Sequence, residues 1–171
     1  KHQRAVPLEE LPKLIRDINN YNKPNEENVK LCLKLLAMTF VRKSELLYAQ
    51  WKEFDLQAKL WKVPATRMKM RVEHSVPLSS VAIRTLKELK QKFPSDDFLF
   101  HNGDPTQPIR DNALIEALYW MGYKNKMSVH GFRAIASTVL NEHEFRADVI
   151  ERQLAHIDGN QVRRAYNRAE Y

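Results

Sequence analysis

Apolar residues recur at helical spacing over most of the chain, broken once in the middle by a stretch of alternation. Leu8 to Asn20 reads as a first helix, with Pro12 tolerated in its opening turn. After a loop at 21–25, Glu26 and Glu27 favour a helix start. Val29, Leu33, Leu36 and Phe40 then mark one apolar face. Ser44 is a candidate cap for a short helix running to Ala49. From Trp51 to Leu78 the pattern changes. Phe54-Asp55-Leu56, Leu60 to Val63 and His74 to Leu78 are rich in aromatic and β-branched residues and predict three short strands. Arg67-Met68-Lys69-Met70-Arg71 forms a basic hairpin tip between the last two.

Helical spacing returns at Ser79 or Ser80, with Val81, Ile83, Leu86 and Leu89 on one face. Residues 94–108, with Pro94, Gly103, Pro105 and Pro108, read as an irregular connection around Phe98-Leu99-Phe100. Asp111 is expected to cap a helix that Gly122 ends, and Ser128 one that runs to about Glu142. Two shorter helices follow, at 146–154 and 159–168. The fold class expected is therefore mainly α with a small three-stranded antiparallel β-sheet.

The 171 residues fit one domain, 1–171, and the net charge of +7 makes polyanions plausible partners. Cys32, the single cysteine, excludes an intrachain disulfide and fits a reducing cytosol. No apolar run reaches membrane-spanning length, and no signal peptide is visible. The chain opens Lys1-His2-Gln3-Arg4 without a methionine, so it reads as a fragment whose N-terminal DNA-binding domains are absent.

Candidate chemistry collects near the C-terminal end: His130-Gly131-Phe132-Arg133, His156 and Tyr166. Arg42 and Glu45 lie far upstream. Each arginine can fork two N–H groups onto phosphate oxygens, and two forks on one phosphate would stabilise a five-coordinate phosphorane. A phenol beside such a clamp is a nucleophile for a phosphodiester. An arginine and a carboxylate three residues apart also form the ordinary solvated surface pair, so the joint pattern carries the reading. It points to DNA strand breakage and joining through a covalent phosphotyrosine. A zinc site from His130, His143 and His156 is weak, because close ligand pairs are missing.

Six segments, in order, resemble the tyrosine recombinases, or phage integrases, and most closely those of prophages and genomic islands. They are Arg42-Lys43-Ser44-Glu45-Leu46, Ala65 to Met70, Val76-Pro77-Leu78, Val129 to Ala134, Ile150 to His156, and Arg164 to Arg168. The resemblance covers essentially the whole chain as the catalytic domain of that family. It implies that Arg42 and Arg133 clamp the scissile phosphate and that Lys69 protonates the departing 5′-oxygen. His130 would take the tyrosine's proton, His156 would bond a phosphate oxygen, Glu45 would support the site, and Tyr166 would attack. Tyr171 is the rival phenol, and the ten-residue spacing from His156 favours Tyr166.

Two departures stand out: the family usually carries Gly where Phe40 stands and often where Ala155 stands. Lys62, Arg67 and Arg71 are candidate DNA contacts. The implied function is site-specific recombination, integrating or excising mobile DNA without metal, ATP or other cofactor. The implied partners are double-stranded attachment sites, with four protomers assembled on DNA in the cytoplasm of a bacterium. Alternatives are a type IB topoisomerase-like activity and a non-catalytic DNA-binding module.

Overall fold

The hydrophobic pattern resolves into helices wrapped around one central helix, with a small sheet at one side. The structure, a computed structural model, describes residues 4–69 and 71–155. Helix α1 spans Leu11–Asn20 after a 3-10 turn at Leu8–Glu10, so Pro12 does fall in the first turn. Helix α2 is Glu27–Thr39. It buries Leu31, Cys32 and Leu35 as well as Val29, Leu33 and Leu36, so the single apolar face expected for it is too narrow. A helix that is apolar nearly all round belongs inside the core. Helices α1, α4 (Ser80–Lys92) and α5 (Ala113–Trp120) pack around it.

Phe40 is not part of that helical face. It stands one residue beyond α2 with φ +59°, in the left-handed region. Gly is the usual residue for such a C-terminal turn because a Cβ strains it. The family's glycine at this place therefore has a physical counterpart here: the turn is kept and Phe40 bears it.

Strands β1 (Phe54–Asp55), β2 (Leu60–Val63) and β3 (His74–Pro77) form the antiparallel sheet in the order β1-β2-β3. Trp61 pairs with Val76, and Val63 with His74. Phe98 makes only an isolated bridge to Gln50, where a strand-like run was expected.

Several caps differ from expectation. Helix α3 is Lys43–Leu47, and its N-cap is Arg42, not Ser44. The Glu45 carboxylate reaches back to accept the Arg42 backbone N–H at 2.9 Å, the role an acid at the third helical position is suited to. Asn112, not Asp111, precedes α5, and Asp111 instead holds the Lys43 ammonium at 2.9 Å. Ser79 does cap α4, accepting from Ala82 N–H at 3.1 Å. Helix α6 is Gly131–Glu142, and Ser128 accepts the Gly131 N–H at 3.0 Å just ahead of it. Helix α7 is Ala147–Gln153; the helix expected at 159–168 lies outside the described residues.

Candidate active site

Three buried segments meet at the C-terminal end of α2, and each supplies one part of a cationic cluster. The first is the start of α3. Arg42 donates from its guanidinium to Glu45 Oε1 at 2.8 Å, while the same carboxylate caps its backbone. Glu45 is 1% exposed, so this carboxylate is fixed.

The second part is Arg133 on α6, which is only 4% exposed. Its Nη1 donates to the Phe40 carbonyl at 2.6 Å, and its Nη2 donates to the Leu154 carbonyl. The left-handed turn at Phe40 therefore has a use: it leaves a helix-end carbonyl for Arg133 to cap, where a cation is favoured. Gln153 closes the same helix end, donating to the Thr39 carbonyl at 3.0 Å.

The third part is the turn after α7. The Ala155 carbonyl accepts from Arg42 Nη2 at 3.3 Å, next to the Leu154 carbonyl that Arg133 holds. The two arginines thus converge on adjacent carbonyls, as the sequence reading required. Burial pushes the Arg133 guanidinium down to about 10, and the repulsion of Arg42 adds to it, with Glu45 and Glu151 opposing. Two guanidiniums share one fully buried carboxylate, and the Arg133 Nε has no partner. The cluster is short of negative charge, which is the condition for binding an anion.

His130 is the N-cap residue of α6, exposed at the rim above the buried Arg133. Gly131 between them is obligatory, since a Cβ there would stand 2.5 Å from the Arg4 carbonyl. Ser128 N–H also donates to that carbonyl, at 2.9 Å, so the N-terminal segment locks the start of α6. His130 and His143 flank opposite ends of α6. About 1.5 Å of rise per residue puts them too far apart to share one zinc ion.

The hairpin between β2 and β3 divides its basic residues. Lys62, Lys69 and Arg71 are exposed. Arg67, grouped with the DNA contacts on sequence, turns inward instead. It pairs with the Glu53 carboxylate and donates to the Glu45 carbonyl at 3.0 Å. Glu53 also accepts from the Trp61 indole at 2.9 Å. Burial, more than anything, raises the Glu53 carboxyl and lowers the Arg67 guanidinium, with each partner opposing the shift of the other.

His156 and Tyr166 lie outside the described residues. Sequence reasoning missed Glu53, Gln153, the three carbonyl acceptors and His74. The last had a signal: alternation in His74-Ser75-Val76-Pro77 puts it on the face of Val76, and both are buried.

A mainly helical domain whose small sheet flanks two converging arginines defines a class, and the family comparison agrees with it. The model of the phage integrase family matches residues 4–171, and the chain belongs to that family. It is 38% identical over 172 residues to the prophage integrase IntA of Escherichia coli K12, covering 100% of this chain and 41% of that protein. It is also 38% identical over 182 residues to the integrase of Enterobacteria phage P4, covering 97% of this chain and 41% of that one. The chain therefore spans about two fifths of the length of these curated relatives. Its fold matches a lambda integrase tetramer bound to a Holliday junction with TM-score 0.68 at 15% identity, over 96% of this chain and 48% of that one.

Proposed function

We propose that the protein cuts and rejoins DNA at specific sites to integrate or excise mobile DNA. The observation that carries this reading is the convergence of Arg42 and Arg133 on one anion-deficient pocket, held by Glu45. Tyr166 attacks the phosphorus of a backbone linkage, forming a 3′-phosphotyrosyl bond and breaking the bond to the 5′-oxygen. His130 takes the phenol's proton and Lys69 gives one to the departing oxygen. A 5′-hydroxyl of a partner strand then attacks the phosphotyrosine, restoring the phosphodiester and the free tyrosine. Arg42, Arg133 and His156 stabilise the charge of the phosphorane. The bond energy stays in the covalent intermediate, so ATP is not required, and the guanidiniums supply the positive charge. Cleavage is expected to persist in excess chelator.

The substrate is double-stranded DNA carrying attachment sites, gripped by exposed Lys62, Lys69 and Arg71, with Arg67 bracing the hairpin from within. A tetramer on two sites, in the bacterial cytoplasm, is the working assembly, in line with the lambda integrase tetramer on its junction. The test is a nicked suicide duplex bearing an attachment site. The unsubstituted protein is expected to form a covalent DNA adduct, and Tyr166→Phe to bind with no adduct. An adduct mapped to Tyr171 would move the nucleophile. Binding without any adduct would favour a DNA-binding module, and relaxed plasmid without recombinant junctions a topoisomerase.

A further inference from the structure

The buried face of the sheet carries one residue out of keeping with its neighbours. Trp61, Val63 and Val76 are apolar and fully buried, and among them sits His74, paired with Val63 and only 6% exposed. Neither ring nitrogen makes a hydrogen bond of adequate geometry. A buried polar group without a partner costs stability, so an imidazole at this point needs a reason.

Its surroundings supply one. The groups that act on the ring are Glu45 from α3, Arg42 from the turn ahead of α3, Arg133 from α6, and the backbone of Arg152 on α7. These are the parts of the phosphate clamp, reached from the sheet side. The Arg133 Nε is also buried and unpartnered, so an orphaned donor and an orphaned imidazole occupy one cluster.

We propose that His74 is a further positioning residue of this site, a neutral imidazole that holds the arginine clamp from behind. The inference rests on the strand-cleavage reading above. A neutral ring offers one lone pair and one N–H, which suits a place between guanidiniums on one side and a carboxylate and a carbonyl on the other. A protonated ring would be a third cation in a pocket already short of anions. Burial holds the His74 imidazole below its ordinary value of 6.5; Arg133 and Arg42 add to that, while Glu45 and the Arg152 backbone oppose it. The ring is therefore neutral at pH 7 and charges only in acid, where the clamp loses its arrangement.

Two measurements test this. In the DNA-free protein, NMR titration of the histidine rings is expected to put His74 below 6.5. Titration at or above that value overturns the proposal. On the suicide duplex, His74→Phe is expected to slow adduct formation on the order of tenfold to a hundredfold, the scale of a displaced reacting group. Its melting temperature should hold or rise, because an apolar ring replaces an unpartnered polar one. His74→Gln should recover most of the lost rate, and the acid limb of its pH–rate profile should lose one proton. A His74→Phe rate equal to that of the unsubstituted protein, or an acid limb unchanged in His74→Gln, overturns the positioning role. If His74→Phe does not fold, the His74→Gln profile decides. An unsubstituted protein that forms no adduct removes the strand-cleavage reading instead, and the titration still judges His74 by itself.

Discussion

The arginine cluster and the β2–β3 hairpin tip are built on opposite plans. In the cluster every part is tied down. Arg133 is buried with two backbone carbonyls on its fork, and Arg42 is held through both its backbone and its side chain by one buried carboxylate. At the tip the anchors stop at Arg67 and the buried Met68, and the next residue, Lys69, is exposed. The charges proposed to bind phosphate are fixed before DNA arrives, so they need no reorganisation when the phosphorane forms. The residue proposed as proton donor stays in water until a substrate meets the hairpin. A preset clamp with a delivered acid would keep the site from completing itself without DNA.

The sharpest way to break this contrast is to remove Arg133. Arg133→Ala is expected to lower adduct formation by about 10²–10³-fold, the usual loss for one preorganised donor at a developing anion. It should also cost about 1–3 kcal/mol of stability, because the carbonyls of Phe40 and Leu154 lose their buried donor. The two losses belong together if the guanidinium both binds phosphate and closes the end of α2. Single-turnover cleavage and denaturant unfolding read them separately. A variant that loses activity with full stability would show that the buried fork is not structural.

Lys69→Ala should behave the other way. Loss of a general acid is expected to slow cleavage by about 10²-fold. The unfolding curve should not change, since Lys69 is exposed with no side-chain hydrogen bond among the described residues. A substrate whose leaving group departs as a thiolate needs no proton, and it should restore most of the rate to Lys69→Ala and none to Arg133→Ala. Rescue of both, or of neither, would dissolve the distinction between clamp and acid.

The same contrast explains what the sequence made legible. Arg42, Glu45 and Arg133 could be read because their roles are written in short spacings: a carboxylate one helical turn past an arginine, and an arginine at the start of a helix. The sheet could be read from aromatic and β-branched runs. The partners of Arg133 could not. Its bond to the Phe40 carbonyl crosses 93 positions and ends on backbone, which leaves no mark on local pattern. Arg67 was misread for a related reason. A basic run looks like a DNA-facing surface until Glu53, which sequence reasoning had not connected with it, turns one guanidinium inward. The caps of α3 and α5 shifted by one or two residues because backbone and ion-pair demands overrode the best-looking capping side chain.

Ala155 gives the smallest expected effect, and it probes the joint between the two regions. Its φ of +47° lies in the left-handed region, which costs a Cβ-bearing residue roughly 1–2 kcal/mol. The strained residue presents the carbonyl that receives Arg42 Nη2, and its chain neighbour presents the one that receives Arg133. Ala155→Gly removes the strain but adds freedom to the unfolded chain. The expected balance is a gain of about 0.5 kcal/mol, read as a higher denaturant midpoint with the slope unchanged. If the strain only positions a carbonyl, the cleavage rate of Ala155→Gly stays within a factor of about two, since glycine adopts the same turn without cost. A gain in stability joined to a large fall in rate would mean that the turn must be held under tension to keep the clamp closed.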